Sequence, residues 1–151
     1  MGERRRGREF ALQILFQIEI NDTSIRESLE GFWESRPASQ TTRGFTERLV
    51  RGTLQNRKKI DILLAETSEN WRLERMPAVD RNILRLAVYE FLSEADIPHV
   101  VAIDEAIEMA KRFGGNDSSQ FINGVLDSVR KKLESAGGAE TGSADPPLKP
   151  A

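Results

Sequence analysis

Residues 101–126, VAIDEAIEMAKRFGGNDSSQFINGVL, decide the fold because they encode two helices and the corner between them. From Ile103 to Ala110, apolar residues recur at i, i+3, i+4 and i+7, the spacing of a helix with one buried face. A second apolar stripe of the same kind runs from Ile122 to Leu133. Two such helices must pack on further apolar surface, and the rest of the chain can supply it.

The corner between these helices has its own sequence signals. Gly114 and Gly115 predict the end of the first helix, since glycine adopts the left-handed cap conformation without a steric penalty. Asp117 or Ser118 is predicted to cap the next helix, because short polar side chains accept hydrogen bonds from free backbone N–H groups.

Composition excludes several classes of protein. The chain has 151 residues, of which 38% are hydrophobic, so it is long enough for one domain with its own core. It has no cysteine, which excludes disulfides, thiolate zinc sites and cysteine nucleophiles. No apolar run reaches the roughly 18–20 residues needed to cross a bilayer, and no signal-peptide pattern is present. These features predict a cytoplasmic protein without a membrane partner.

Helical periodicity extends over most of the chain and predicts an all-α fold of about seven helices. Residues 79–92 carry the widest apolar stripe and are predicted to form the central helix, which starts at or just after Pro77. From residue 136 onward, Gly, Ala, Ser and Pro dominate, which predicts a disordered tail at 136–151 after a domain at 1–135. The other predicted helices span residues 10–20 (joined by a basic arm at 1–9), 25–33, 44–55 and 60–64, besides the two described above.

The residues of catalytic and metal sites are scarce. The single histidine, His99, has no cysteine or second histidine as a partner for a metal and is interpreted as a loop residue. Asp104, Glu105 and Glu108 are interpreted as a solvated or salt-bridged helix face rather than as general acids and bases. We therefore expect no enzyme, no cofactor and no metal.

Binding is better supported, first by a cluster of arginines. Arg4, Arg5, Arg6 and Arg8 lie within five residues and present fork-shaped donors suited to phosphate oxygens. The alternative is a basic terminus that aids solubility or contacts acids nearby.

An aromatic residue strengthens the prediction of RNA binding. Phe16 lies outside the apolar stripe of the first helix, on the outer side toward which Arg5 and Gln13 also project. Single-stranded RNA is typically held by arginine contacts to phosphate and by aromatic stacking on bases. Packing of Phe16 against a second chain in a homodimer is the alternative. Phe121, at the flank of its helix's stripe, is either an edge-of-core residue or a second stacking platform.

Three motifs together resemble the NusB family of transcription antitermination factors: RRRGRE, VDRNILRLAVYE, and VAIDEAIEMAKRFG followed by SSQFINGVLD. The resemblance covers about residues 4–133. It implies an all-helical fold of two small subdomains and a complex with ribosomal protein NusE that binds the single-stranded boxA element of nascent ribosomal RNA transcripts. It also implies indirect contact with other Nus factors and RNA polymerase, so that the polymerase reads through ribosomal RNA operons.

The resemblance also implies site residues. Phe16 stands where the family often has tyrosine, so it keeps the stacking surface and loses a hydroxyl. Arg85 and Glu90 match as structural residues that pair with acids such as Asp104. The implied RNA-binding residues are Arg4, Arg5, Arg6, Arg8, Gln13, Phe16, Asp117, Ser118, Phe121 and Asn123, and the implied NusE-binding residues are Glu74, Asp80 and Arg81.

Two alternatives stay open at this point. The same helical module resembles the N-terminal domain of some ribosomal RNA cytosine methyltransferases, an interpretation that requires a partner to supply the methyl-donor-binding domain. A homodimeric or protein-only helical adaptor, with its arginine face occluded, is the other alternative.

Overall fold

The computed structural model describes residues 2–67 and 72–139, with side chains through residue 136. This part of the chain forms seven α-helices, one 3₁₀ turn and no strand, so the all-α prediction is confirmed. The helices are α1 (Glu3–Asn21), α2 (Ile25–Ser35), α3 (Gln40–Gln55), α4 (Arg57–Thr67), α5 (Ala78–Ser93), α6 (His99–Phe113) and α7 (Ser118–Ala139), and the 3₁₀ turn is Leu73–Arg75.

Helix α5 is the centre of the fold, as its wide apolar stripe predicts. Every residue from Ile83 to Leu92 is buried, and the helix contacts α1, α3, α4, α6 and α7. Helices α1, α2 and α3 pack together on one side of it, while α6 and α7 pack on each other and α4 lies against α7. The molecule therefore consists of two small helical groups joined through one buried helix.

Local capping sets the helix starts. The Ser24 side chain accepts a hydrogen bond from the Glu27 backbone, and the Ser39 side chain accepts one from the Thr42 backbone. Because Ser39 caps α3, that helix begins four residues earlier than the predicted start at Gly44.

His99 does not lie in a loop, contrary to the prediction. It is the first residue of α6, where Pro98 precedes the helix in an extended conformation. Its ring centroid lies 4.7 Å from that of Phe91, and its Nδ1 lies 3.6 Å from Glu134. The residue therefore packs at a helix start, which the isolated Pro-His pair does not reveal.

Gly114 ends α6 as predicted, but for a different reason. Its backbone is extended, with φ −93° and ψ −175°, rather than left-handed. A Cβ at this position would lie 2.7 Å from the Ser118 hydroxyl and 2.8 Å from the Ala110 carbonyl oxygen. Glycine is thus required by the close approach of the corner to the end of α6.

Helix α7 continues to Ala139, four residues past the predicted domain boundary at about residue 135. The rest of the predicted tail, residues 140–151, lies outside the described residues. Among the helices that are described, none is long and apolar enough to span a membrane.

Candidate nucleic-acid interface

The first helical turns of α1 carry the four arginines, and Arg5 among them forms an ion pair with α6. Its Nε and Nη2 donate to the two carboxylate oxygens of Glu105 on α6, at 3.0 and 2.9 Å. This hydrogen bond with Arg5 lowers the pKa of the Glu105 carboxyl below its usual range. The pair uses one edge of the guanidinium, and Nη1 has no bonded partner within the described part of the chain, so that atom can serve a phosphate.

Arg8 does not belong to the surface, which corrects the prediction that it binds RNA. Its side chain is 3% exposed and donates to the 2% exposed carboxylate of Glu90, with distances of 2.7 to 3.1 Å. Burial raises the pKa of Glu90, while the hydrogen bonds from Arg8 oppose that shift. Glu90 is structural as predicted, but its partner is Arg8 rather than Asp104.

Arg4 and Arg6 are both exposed and differ in their surroundings. Arg4 Nη2 lies 2.8 Å from Asp96 in the segment between α5 and α6. Arg6 makes no ion pair with a described residue, and its guanidinium carbon lies 5.7 Å from the centre of the Phe10 ring. The expectation of acids near the arginine arm therefore holds for Arg4 but not for Arg6.

Phe16 lies outside the core, as predicted. It is 36% exposed, whereas Ile14 and Leu15 beside it are at most 2% exposed. Arg5 and Phe16 are eleven residues apart, three helical turns, so they lie on the same side of α1 at about 16 Å from each other. Gln13 is half-buried on the flank of the same helix.

The end of α6 reaches this side of α1. Arg112 Nη1 donates to both carboxylate oxygens of Glu9, at 3.1 and 2.9 Å. Glu9 lies between Arg5 and Phe16 along α1. A groove of about 240 Å³, here called the α1–α6 groove, is lined by Arg5, Glu9, Glu108, Lys111 and Arg112.

Lys111 and Arg112 are candidate functional residues that the sequence analysis missed. In the sequence they are two basic residues in the last turn of a helix, where cations commonly complement the helix dipole. Nothing local indicates that this turn packs beside the arginine arm. Their position in the site follows from the packing of α6 near α1.

The α6–α7 corner places the four predicted RNA-binding residues in different environments. Asp117 and Asn123 are exposed, Phe121 is half-buried against the core, and Ser118 is buried. The Ser118 hydroxyl accepts from the Gly115 backbone at 2.9 Å and lies 3.1 Å from a carboxylate oxygen of Asp80.

Ser118 and Asp80 are therefore interior partners rather than surface contacts, which corrects both predictions. One was predicted to bind RNA and the other NusE, but each is less than 10% exposed. The second carboxylate oxygen of Asp80 is buried and has no hydrogen-bond partner among the described residues.

The predicted protein-binding side is built on the 3₁₀ turn. Arg81 Nη1 donates to the carbonyl oxygens of Leu73 and Met76, at 2.9 Å each, and Arg81 also pairs with Glu19 of α1. Arg81 therefore holds residues 73–76, here called the connector, onto α1 and α5. Glu74 is the one exposed residue of the three that were predicted to bind NusE.

Beside Glu74 lies a groove of about 700 Å³ between α4, α5 and the end of α1. Ile62 lines it and is 55% exposed. Arg85 and Asp61 also line the groove, and Arg85 donates to both carboxylate oxygens of Asp61 at 2.8 and 3.0 Å. The groove thus combines one exposed apolar residue with a rim of charged side chains.

Comparison with known proteins identifies relatives of this chain. The NusB family model matches residues 5–131. The "Transcription antitermination protein NusB" of Trichlorobacter lovleyi is 46% identical over 129 residues, covering 85% of this chain and 91% of the relative. The protein of the same name from Symbiobacterium thermophilum is 45% identical over 145 residues and covers 91% and 95%.

Solved structures agree with the fold. NusB of T. maritima has a TM-score of 0.79 at 43% identity, covering 85% of this chain and 91% of that chain. A chain from a structure described as "Antitermination Factors NusB and NusE in complex with dsRNA" has a TM-score of 0.80 at 20% identity, covering 87% and 98%. The second likeness is a likeness of fold.

Proposed function

We infer the function from the family, because this chain belongs to the NusB family. We propose that it is a cytoplasmic transcription antitermination factor that binds boxA-type single-stranded RNA of ribosomal RNA transcripts together with ribosomal protein NusE. Its complex with RNA joins other Nus factors and helps RNA polymerase read through. In this proposal the protein recruits and positions partners and performs no chemical reaction.

The exposed ring of Phe16 carries the proposal. An aromatic ring left outside the core, on the side of α1 that also carries Arg5, supplies a face for base stacking beside a donor for phosphate. Arg4, Arg5 and Arg6 supply three accessible guanidinium groups, and Lys111 with Arg112 extend the cationic side of the α1–α6 groove. Asn123 and Asp117, both exposed, offer polar groups for base edges.

The NusE contact is assigned to the groove beside Glu74, which offers the exposed Ile62 within a charged rim. Asp80 and Ser118 then act between the two surfaces rather than on them. Their hydrogen bond joins the start of α5, next to the connector, to the α6–α7 corner. A partner that binds at the 3₁₀ turn thereby affects the corner through this bond, and linkage requires RNA to strengthen NusE binding by the same factor.

Binding of a boxA-like single-stranded RNA oligomer over a salt series tests the RNA half. With three accessible arginines contacting phosphates, log K should fall against log[salt] with a slope near −2, about 0.7 for each phosphate on a single strand. Phe16→Ala should weaken binding at every salt concentration by roughly 1–3 kcal/mol, the energy of one stacked base, and should leave the slope unchanged. Arg5→Gln should make the slope shallower.

A matched control removes apolar surface elsewhere. Val100→Ala truncates a side chain that is 60% exposed at the start of α6 and should leave RNA affinity unchanged. If no RNA binds with or without NusE, and the protein sediments as a dimer, the homodimeric or protein-only adaptor is the better interpretation.

The coupling between the partners has its own variant. Ser118→Ala removes the hydroxyl that bonds Asp80 and should reduce the factor by which NusE raises RNA affinity. The measurement is the RNA affinity of the wild type and of Ser118→Ala, each with and without saturating NusE. An unchanged factor would exclude the Asp80–Ser118 bond as the link.

A further inference from the structure

A second group of arginines lies away from the α1–α6 groove and is built differently. Phe10 of α1 and Phe32 and Trp33 of α2 form a triangle of edge-to-face rings, with centroid separations of 5.2, 5.8 and 5.2 Å. Each ring carries one guanidinium. These are Arg6 at 5.7 Å from Phe10, Arg36 at 4.3 Å from Phe32 and Arg43 at 5.1 Å from Trp33.

These arginines differ from those of the α1–α6 groove in their partners. Within the described part of the chain, Arg6, Arg36 and Arg43 make no salt bridge, whereas Arg4, Arg5 and Arg8 each do. A guanidinium stacked on a ring keeps its N–H donors in the plane, directed away from the ring, where they remain available to an incoming acceptor. Stacking also restricts the side chain in advance, so that less conformational entropy is lost on binding.

Two of the three carboxylates in the groove beside this cluster have other hydrogen-bond partners. Glu47 accepts a hydrogen bond from the Trp33 indole at 2.9 Å, and Glu30 pairs with Arg26 at 3.0 Å. Glu34 is the remaining carboxylate in the groove of about 720 Å³ that Trp33 and Arg43 line together with Arg51. Glu30, Glu34 and Glu47 balance the charges of Arg26, Arg43 and Arg51 in this groove, but among the described residues no carboxylate oxygen lies within 4.0 Å of the guanidinium groups of Arg6, Arg36 or Arg43. Their N–H donors are therefore not engaged in an ion pair.

We propose that Arg36 and Arg43 on this aromatic triangle, next to Arg6 at the edge of the first surface, form a second phosphate-binding surface, which holds the backbone of RNA that extends beyond the segment bound at the α1–α6 groove. The inference rests on the proposed RNA-binding function. RNA is the partner because Arg6 follows Arg5 directly on α1, about 100° around the helix, so the second surface adjoins the first at the exposed start of α1. An acidic protein segment is the other class of partner that unpaired arginines could hold, and the test includes it.

The test compares two RNA lengths. A short boxA-like single strand occupies the α1–α6 groove alone, and longer strands carry additional nucleotides on the 5′ or the 3′ side. Arg36→Gln/Arg43→Gln removes two charges while it keeps hydrogen-bonding side chains. Lys131→Gln/Lys132→Gln removes two charges from α7, which packs on α4, α5 and α6, and is the matched control.

For one of the longer strands, the arginine double variant should bind roughly tenfold more weakly than the wild type, with a salt slope shallower by about 1.4, the values for two phosphate contacts. The short strand should bind both proteins equally, and the lysine double variant should bind the longer strands like the wild type. Trp33 provides a direct readout: in a Trp71→Phe background it is the only tryptophan, and its fluorescence should change with the longer strand but not with the short one.

Equal binding of every longer strand by the arginine double variant and the wild type would overturn the inference. So would a double variant that keeps RNA affinity but loses affinity for poly-glutamate, because the surface would then serve an acidic protein. A failure of the short strand to bind wild-type protein would instead count against the proposed function itself.

Discussion

Removing one partner of the buried pair of Arg8 and Glu90 should lower the free energy of unfolding by a large amount. Both side chains are at most 3% exposed, and three hydrogen bonds join them. Glu90→Gln leaves the Arg8 charge in the interior with Glu105 at 3.9 Å as its nearest remaining carboxylate. Removing one member of a buried pair typically costs about 3–5 kcal/mol, since the other charge stays desolvated.

Urea unfolding followed by circular dichroism measures this cost. At roughly 3 °C per kcal/mol for a domain of this size, the melting temperature of Glu90→Gln should fall by about 10 °C. Glu30→Gln is the matched control, because it breaks the exposed pair of Arg26 and Glu30 within α2. That change should cost less than about 0.5 kcal/mol.

The double variant Arg8→Met/Glu90→Met separates burial from charge. Replacing a buried ion pair by apolar side chains of similar volume is often neutral or stabilising, so the double variant should be far more stable than Glu90→Gln. It should also keep wild-type affinity for RNA, since Arg8 does not reach the surface. A cost below about 1 kcal/mol for Glu90→Gln, or a loss of RNA affinity in the double variant, would refute the reasoning.

Three further predictions concern the corner, the tyrosine and the arm. Gly114→Ala should destabilise the protein by about 1–3 kcal/mol in urea unfolding, because the new Cβ would collide with the Ala110 carbonyl oxygen. In the control, Gly124→Ala adds a Cβ in open space within a helix and should stabilise the protein by about 0.5–1 kcal/mol. Burial raises the pKa of Tyr89 above its usual 10.0. The neutral hydroxyl therefore contributes stability in full below pH 10, and this contribution is lost as pH rises through the folded-state pKa. An ultraviolet titration should show tyrosinate only as the protein unfolds, and ionisation of folded protein near pH 10 would contradict this. The lowered pKa of Glu105 contributes stability above about pH 4.5 that is lost as pH falls through its folded value, so unfolding of Glu105→Gln should depend less on pH in that acid range, and an unchanged dependence would argue against the pair with arginine.

The sequence by itself determined the helices and much of the exposed face. Each helix needs only residues near one another in the chain, because its hydrogen bonds and apolar periodicity are local. For the same reason the position of Phe16 outside the core of α1 followed from angular spacing alone. The motifs of the family could be recognised without coordinates, and they led to the same family as the comparisons.

Tertiary structure alone decided which charged residues are accessible. Arg8 and Arg5 look equivalent in the sequence, but Arg8 meets Glu90, 82 positions away, inside the molecule, and Arg5 meets Glu105 at the surface. Ser118 likewise donates a hydrogen bond to Asp80, 38 positions away in the sequence. Ion pairs and hydrogen bonds between distant helices depend on how those helices pack. The sequence pattern therefore shows that an arginine can bind phosphate, while the tertiary structure shows whether a carboxylate already accepts the hydrogen bonds of that arginine.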